Sequence, residues 1–495
     1  MVQMRKWRPL LKLEETTAQA SYRKIVEGLV SAIVDGRLTP GTLLPGTREM
    51  ARLLDVNRKT VILAYEEAMT KGWLVSEPRR GTFVNAQLAP MAKTRGAPPS
   101  FALELRAQPA VAYFTPGQQA TALQYQPGAL FFDNGACDHR LLPQAVLHRY
   151  YRNALRKSFV SNTVRHGSDG TSHALRRALA EMLRNNRGLA VEAEQICLTQ
   201  GVQMSLYLSA SALLEPGDVV LVERLSYPPA WEIFRRLGAQ LVTVDLDNEG
   251  CRVDQIDELC RQHKVRMIYL TPHHQFPTTV SLHAGRRQQL LALAKQHDFC
   301  VIEEDYDYEY HFDGRPYLPL ASDSSQRHVI YIGSLSKSLG STFRCSYVVA
   351  PANVIEVLNR NAALILGQGD AVAQQMLTDL INDGELKKHL RRVSKEYRRR
   401  RETLQRCLVE GFGERISVQE PEGGLALWVR FAEEINVGRL VEKALELDLV
   451  VRNSRHFSPM DQAENALRLG FASLDRDEIR QATLRLAQAA KAISR

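Results

Sequence analysis

The chain has 495 residues, 44% apolar and 24% charged, with a formal net charge of +9. That length favours two or three domains with ample cores, and the positive balance invites a nucleic-acid partner. Seven scattered cysteines (Cys137, Cys197, Cys251, Cys260, Cys300, Cys345 and Cys407) form no CxxC pair, which excludes a disulfide scaffold and fits reduced thiols. The first fifteen residues lack a signal-peptide apolar core, and no apolar run approaches the ~18 residues of a membrane span, so a cytoplasmic protein without membrane partners is expected.

Ile25, Leu29, Val30, Ile33 and Val34 recur at helical spacing and predict a helix that the Gly- and Pro-bearing segment 35–41 breaks. A short helix is predicted from Thr47, as N-cap, to Leu54, and a third, capped by Asn57, to about Lys71. Val61, Ala64, Tyr65 and Ala68 form the buried stripe of the third helix, and its first turn carries Arg58, Lys59 and Thr60. Two short helices around a tight turn, the second opening on donors and cations, make a helix-turn-helix whose recognition helix points at bases and phosphates. Residues 72–84 then read as a two-stranded wing with Arg79, Arg80 and Gly81 at its tip, where arginine suits a minor groove. Residues 1–85 hold 14 Lys and Arg against 9 Asp and Glu, a disproportionate share of the positive charge.

The stretch LPGTREMARLLDVNRKTVILAYEEAMTKGWLVSEPRRGTFV resembles the winged helix-turn-helix of GntR-type transcription regulators, across residues 20–84. The resemblance implies that Arg48, Asn57, Arg58, Lys59 and Thr60 contact DNA, with Arg79, Arg80 and Gly81 alongside. Asn57 stands where many relatives carry Ser or Thr, so base preference does not carry over. Residues 86–126, punctuated by Pro90, Pro98, Pro99, Pro109 and Pro116, read as a semi-extended tether.

Beyond residue 127, helices alternate with short apolar strands, an α/β pattern. Ile196–Thr199 reads as a strand, Gln200-Gly201 as a turn and Val202–Leu214 as a helix, which makes the backbone N–H groups of Val202 and Gln203 an anion site. A second strand, 218–223, leads to Tyr227, which either packs in its loop or covers a ring. A third, Met267–Leu270, leads into TPHHQFPT. His273 and His274 are expected to point opposite ways with no third ligand nearby, so no metal is expected, and Gln275 reads as a donor to a ring hydroxyl. After the strand 299–302 comes EEDYDYE; alternation puts Glu304 and Tyr306 on one face and Asp305 on the other, at the sheet edge where ligands collect.

The stretch Val329–Val349, VIYIGSLSKSLGSTFRCSYVV, centres on Lys337 among hydroxyls and glycines. Such a lysine is either solvated on a surface turn or the imine-forming amine that a carbonyl cofactor such as pyridoxal 5'-phosphate needs. In the second case Arg344 meets the phosphate bidentately, with Ser334 and Ser336 adding hydroxyls.

Gly201-Val202-Gln203, Glu223…Tyr227-Pro228, HHQFPT, EEDYDYE and SLSK…R together resemble fold-type-I aminotransferases over about 127–495. Joined to the GntR-type head, the whole chain is similar to the MocR/GabR subfamily of regulators. The resemblance implies Lys337 as the imine lysine, Arg344 and the Gly201-Val202-Gln203 turn on the phosphate, Tyr227 near the ring face, Tyr306 near its phenolic oxygen, and Arg468 on an effector carboxylate. Two departures stand out. Glu304 occupies the place of the pyridine-facing aspartate, so either Glu304 serves or Asp305 is recruited, and Thr279 replaces a favoured glycine.

The expected fold is multidomain: an α+β winged helix-turn-helix (1–85), a linker (86–126), and an α/β fold-type-I PLP-dependent aminotransferase-like domain (127–495). The large part of that domain spans about 160–350, and the small part about 127–159 and 351–495. The expected function is a PLP-dependent DNA-binding transcription regulator sensing an amino acid, an amine or PLP itself, as a homodimer on double-stranded operator DNA. The alternative is an aminotransferase with an accessory DNA-binding segment.

Overall fold

The computed structural model describes residues 7–11, 22–88, 125–160, 169–312, 317–323, 327–340, 343–367 and 369–493. The chain divides into two compact units, residues 1–121 and 122–495. The tether expected over 86–126 lies outside the described residues from 89 to 124. No described helix is long and apolar enough to cross a membrane.

In the first unit, α1 (Tyr22–Val34), α2 (Thr47–Leu54) and α3 (Arg58–Thr70) close around Leu29, Met50, Leu54, Val61 and Tyr65. Asp55 turns the chain between α2 and α3 at φ 55°, a left-handed conformation that aspartate tolerates. Asn57 caps α3 as predicted, its Oδ1 accepting from the Lys59 N–H at 2.9 Å. The predicted cap Thr47 is instead the first helical residue, with Gly46 at the N-cap, and its hydroxyl accepts a 3.4 Å bond from Arg58 Nε. The wing is real. Strands β1 (Leu74–Glu77) and β2 (Gly81–Val84) pair antiparallel from Leu74↔Val84 to Glu77↔Gly81.

The second unit carries α4 (Asp169–Arg187), then β3 (Ile196–Thr199), α5 (Val202–Leu213), β4 (Val219–Glu223), α6 (Pro228–Arg236), β5 (Gln240–Val244) and β6 (Val265–Leu270). It continues through β7 (Cys300–Asp305), β8 (Val329–Ser334), α7 (Ser336–Leu339) and β9 (Ser346–Val349). The sheet order is β3-β9-β8-β7-β6-β4-β5. Only β9 runs antiparallel to its neighbours there. The strands read as near-continuous apolar runs because helices cover both faces. Leu175, Leu179 and Leu183 of α4 pack with Tyr331 and Tyr347, while Leu206 and Leu208 of α5 pack with Ile330, Ile332 and Val348.

Downstream, α8 (Glu385–Phe412) and α9 (Arg476–Ile493) pack on the antiparallel sheet β10 (Ile416–Val418), β11 (Ala426–Phe431) and β12 (Ala466–Gly470). Leu404, Leu408, Leu427, Leu467 and Leu486 form its core.

Thr279, in the loop after β6, is buried at φ 65°, a region that β-branched residues avoid. The glycine missing from its motif is therefore missing where the backbone demands one. A left-handed non-glycine residue costs about 1–2 kcal/mol. Thr279→Gly should raise unfolding stability by up to about 1 kcal/mol once the glycine's extra unfolded-state freedom is subtracted. Denaturant midpoints read this directly, and a lower midpoint would mean the threonine side chain outweighs the strain.

Candidate functional site

The parallel strands end together, and their carboxyl edge presents the loops 200–203, 224–227, 271–279 and 306–311. Strand β9 enters from that same edge, because Ser346 pairs with both Ser334 and Thr199. Arg344, just before β9, thereby meets Gly201, just after β3, and Lys337, just after β8.

These residues line a cavity of about 390 Å³ together with Asn134, Val202, Gln203, Tyr227, Phe276, Glu304, Tyr306, Ser334 and Ser336. Gly201 sits at φ 96°, and a Cβ there would stand 3.1 Å from Arg344 Nη2. Glycine thus admits the guanidinium to the N-terminus of α5, whose first N–H groups have no intrahelical partner. The hydroxyl of buried Ser334 accepts from the Ser336 backbone N–H and from Ser346 Oγ at 3.1 Å each.

Lys337 Nζ donates to Gly135 O at 2.7 Å, and burial lowers the ammonium pKa, with Asp133 opposing. The backbone around it is clamped: Tyr310 Oη donates to Lys337 O at 2.6 Å, and His389 Nε2 lies 3.0 Å from Ser338 O. Glu304 accepts from Tyr269 Oη at 2.5 Å, and burial pushes its carboxyl up to about 7 against the pull of Tyr269 and Lys337.

Arg468 lies beside the cavity on β12, donating to Pro277 O at 2.7 Å and to Tyr306 Oη at 3.4 Å. Its guanidinium stands 4.6 Å from the Phe276 ring centroid, and its Nε is buried without a hydrogen-bond partner. Tyr306 Oη donates to His274 O at 2.8 Å.

Three expectations need correction. Asp305 is not brought to the cavity. Strand alternation turns it to the α4 face, where it accepts from Tyr331 Oη at 2.9 Å and stands 3.9 Å from Arg187 Nη1. Gln275 is not a free donor either. Its amide nitrogen is spent on Glu223 Oε2, Leu225 O and Phe276 O, and its oxygen accepts from Thr278. Finally, His273 and His274 do have a third histidine nearby: one ring nitrogen each of His273, His274 and His311 lies within 4.8 Å of the others. Strand β6 ends at Leu270, so 273–274 are not extended and their ring centroids come within 5.1 Å.

Asn134, Phe276 and Tyr269 were missed by sequence reasoning. Phe276 sits inside HHQFPT but is apolar and carried no chemical signal, whereas a tyrosine inside the buried strand β6 could have suggested a polar partner. In the first unit, Arg48, Asn57, Arg58, Lys59, Arg79, Arg80 and Gly81 are exposed and Thr60 half-buried. Arg80 pairs with Glu77 and lies over the Phe83 ring.

A family model described as "Aminotransferase class I and II" matches residues 143–486, and one described as "Bacterial regulatory proteins, gntR family" matches 21–84. The probable rhizopine catabolism regulatory protein MocR of Rhizobium meliloti is 28% identical over 491 residues, covering 95% of this chain and 94% of its own. The HTH-type transcriptional regulator TauR of Rhodobacter capsulatus is 28% identical, over 94% of each chain. Among solved structures, LysN, an α-aminoadipate aminotransferase of Thermus thermophilus complexed with N-(5'-phosphopyridoxyl)-L-leucine, superposes with a TM-score of 0.68. It is 26% identical over 74% of this chain and 93% of its own.

Burial raises the Glu304 carboxyl from its ordinary 4.5 to about 7 in the fold. A raised carboxyl pKa stabilises below the ordinary value and loses that contribution as pH rises through the folded one. Ligand-free wild-type protein should therefore lose stability relative to Glu304→Gln as pH climbs from 4.5 to about 7, read as the difference between the two melting curves. Parallel pH profiles would reject the assignment.

Proposed function

From the premise that this chain belongs to the aminotransferase class I and II family and carries a gntR-family regulatory domain ahead of it, we propose that it is a MocR-type transcription regulator sensing an amino acid or amine. The observation that carries the reading is a half-buried lysine lining one cavity with an arginine–glycine anion cradle, on a chain whose recognition-helix cations are exposed.

The residues present fit pyridoxal phosphate. Arg344, Gly201 and the first turn of α5 offer a phosphate seat, Glu304 a carboxylate for a protonated pyridine nitrogen, and Lys337 the amine. Bound there, the cofactor would supply an aldehyde carbon with which free amines react. Burial keeps Lys337 closer to the neutral, nucleophilic form. Arg468, with a buried unpartnered Nε, is the cation for an effector carboxylate, and Tyr306 holds the adjoining backbone through His274 O. That arginine favours an amino-acid effector over a sensor of the cofactor alone.

The head would read double-stranded operator DNA as part of a homodimer, through Arg48, Arg58, Lys59 and Thr60 with Arg79 and Arg80 on the wing. Effector occupancy shifts DNA binding only by as much as the effector's affinity differs between the two states. The rival reading is an aminotransferase; steady turnover of an amino donor with a keto acid would favour it.

Lys337→Ala should abolish the visible absorbance that wild-type protein develops with pyridoxal phosphate; an unchanged spectrum would defeat the lysine assignment. Arg58→Ala should weaken operator binding by about 1–3 kcal/mol in a mobility-shift titration. A wild-type footprint would count against α3 as the reader.

A further inference from the structure

We propose that His273, His274 and His311 form a binding site for one divalent transition-metal ion of the zinc class, directly behind the cavity wall. The three side chains converge from two loops, 271–279 after β6 and 306–311 after β7. His273 Nε2 and His311 Nε2 stand 3.2 Å apart, and one nitrogen from each of the three rings lies within 4.8 Å of the others. Two imidazole nitrogens on a tetrahedral zinc ion, each at ~2.0–2.1 Å, are about 3.3 Å from one another. The first pair already has that spacing; the third nitrogen must close by at most about 1.5 Å.

The surroundings are those of a metal-bound histidine set. Asp307 Oδ1 holds His274 Nδ1 at 2.7 Å, the carboxylate–imidazole pairing that orients a ligating ring. Asp307 Oδ2 is buried with no hydrogen-bond partner, leaving negative charge that a cation would neutralise. Over the other side of the His274 ring runs Gly423, where a Cβ would stand 3.0 Å from Nε2. A Cβ there would also collide with Tyr310 O, so glycine is what lets this segment pack against the ring.

The ion would tie together the two loops that present Phe276 and Tyr306 to the cavity, since Tyr306 Oη is bonded to His274 O.

The test uses full-length protein, stripped with chelator and titrated with Zn²⁺ alone or Co²⁺ alone. We expect one equivalent bound per chain, a visible cobalt spectrum of tetrahedral nitrogen ligation, and a zinc-dependent rise in melting temperature. His311→Gln, at the rim of the cluster, should weaken uptake at least tenfold while keeping the wild-type far-ultraviolet dichroism, and His273→Gln should do the same. No uptake by wild-type protein, uptake unchanged in both variants, or an intense thiolate-to-cobalt band from the cysteines would each overturn the proposal.

Discussion

The pairing of Ser346 with both Ser334 and Thr199 is the constraint on which the site rests. It seats β9 antiparallel between two strands that point the other way, so a residue entering β9 and residues leaving β3 and β8 share one edge. Arg344, Gly201 and Lys337 are separated by up to 143 positions in sequence and still face one cavity. Side chains alternate with a period of two along a strand, so a one-residue slip would turn Ser334 out of the cavity wall. The buried Ser346–Ser334 hydroxyl pair, with the Ser336 backbone N–H donating to the Ser334 oxygen, fixes that register from within.

The same alternation separates two neighbouring carboxylates into different duties. Glu304 faces Tyr269 and the cavity, whereas Asp305 faces Arg187, which also pairs with Glu309 and lies over the Tyr308 ring. Burial pushes both carboxyls up to about 7, but only Asp305 has a buried guanidinium beside it. A buried charge is retained when paired and hydrogen-bonded. Asp305 and Arg187 therefore belong to the framework, pinning α4 to the sheet, and Glu304 is the carboxylate left available to the cavity.

Much of this was legible in the sequence because it is local. Helix periodicity, the Asn57 cap, the wing and the strand–Gly201–helix turn each depend on a few adjacent residues. The alternation across 304–306 was also readable, and the structure keeps it. Long-range convergence was not readable. Gln275 looks like a free donor until Glu223, Leu225 and Thr278 are folded around it. His311 lies 37 residues beyond His274, and nothing between them signals that the loops after β6 and β7 return to the same place. Thr279 shows a middle case: its motif flagged the departure from glycine, and the backbone angle supplied the physical meaning.

Asn57 has a further consequence. Its side-chain oxygen is committed to closing the first turn of α3, so the residue is a structural fastening of that helix. Replacing it with a non-capping residue would loosen the helix by about 1 kcal/mol before any nucleotide is touched. Arg58 and Lys59 beside it are exposed, and Arg58 Nε reaches back to the Thr47 hydroxyl at 3.4 Å. Two neighbouring residues thus hold the motif from inside, one closing the first turn of its own helix and the other tying that helix to the one before.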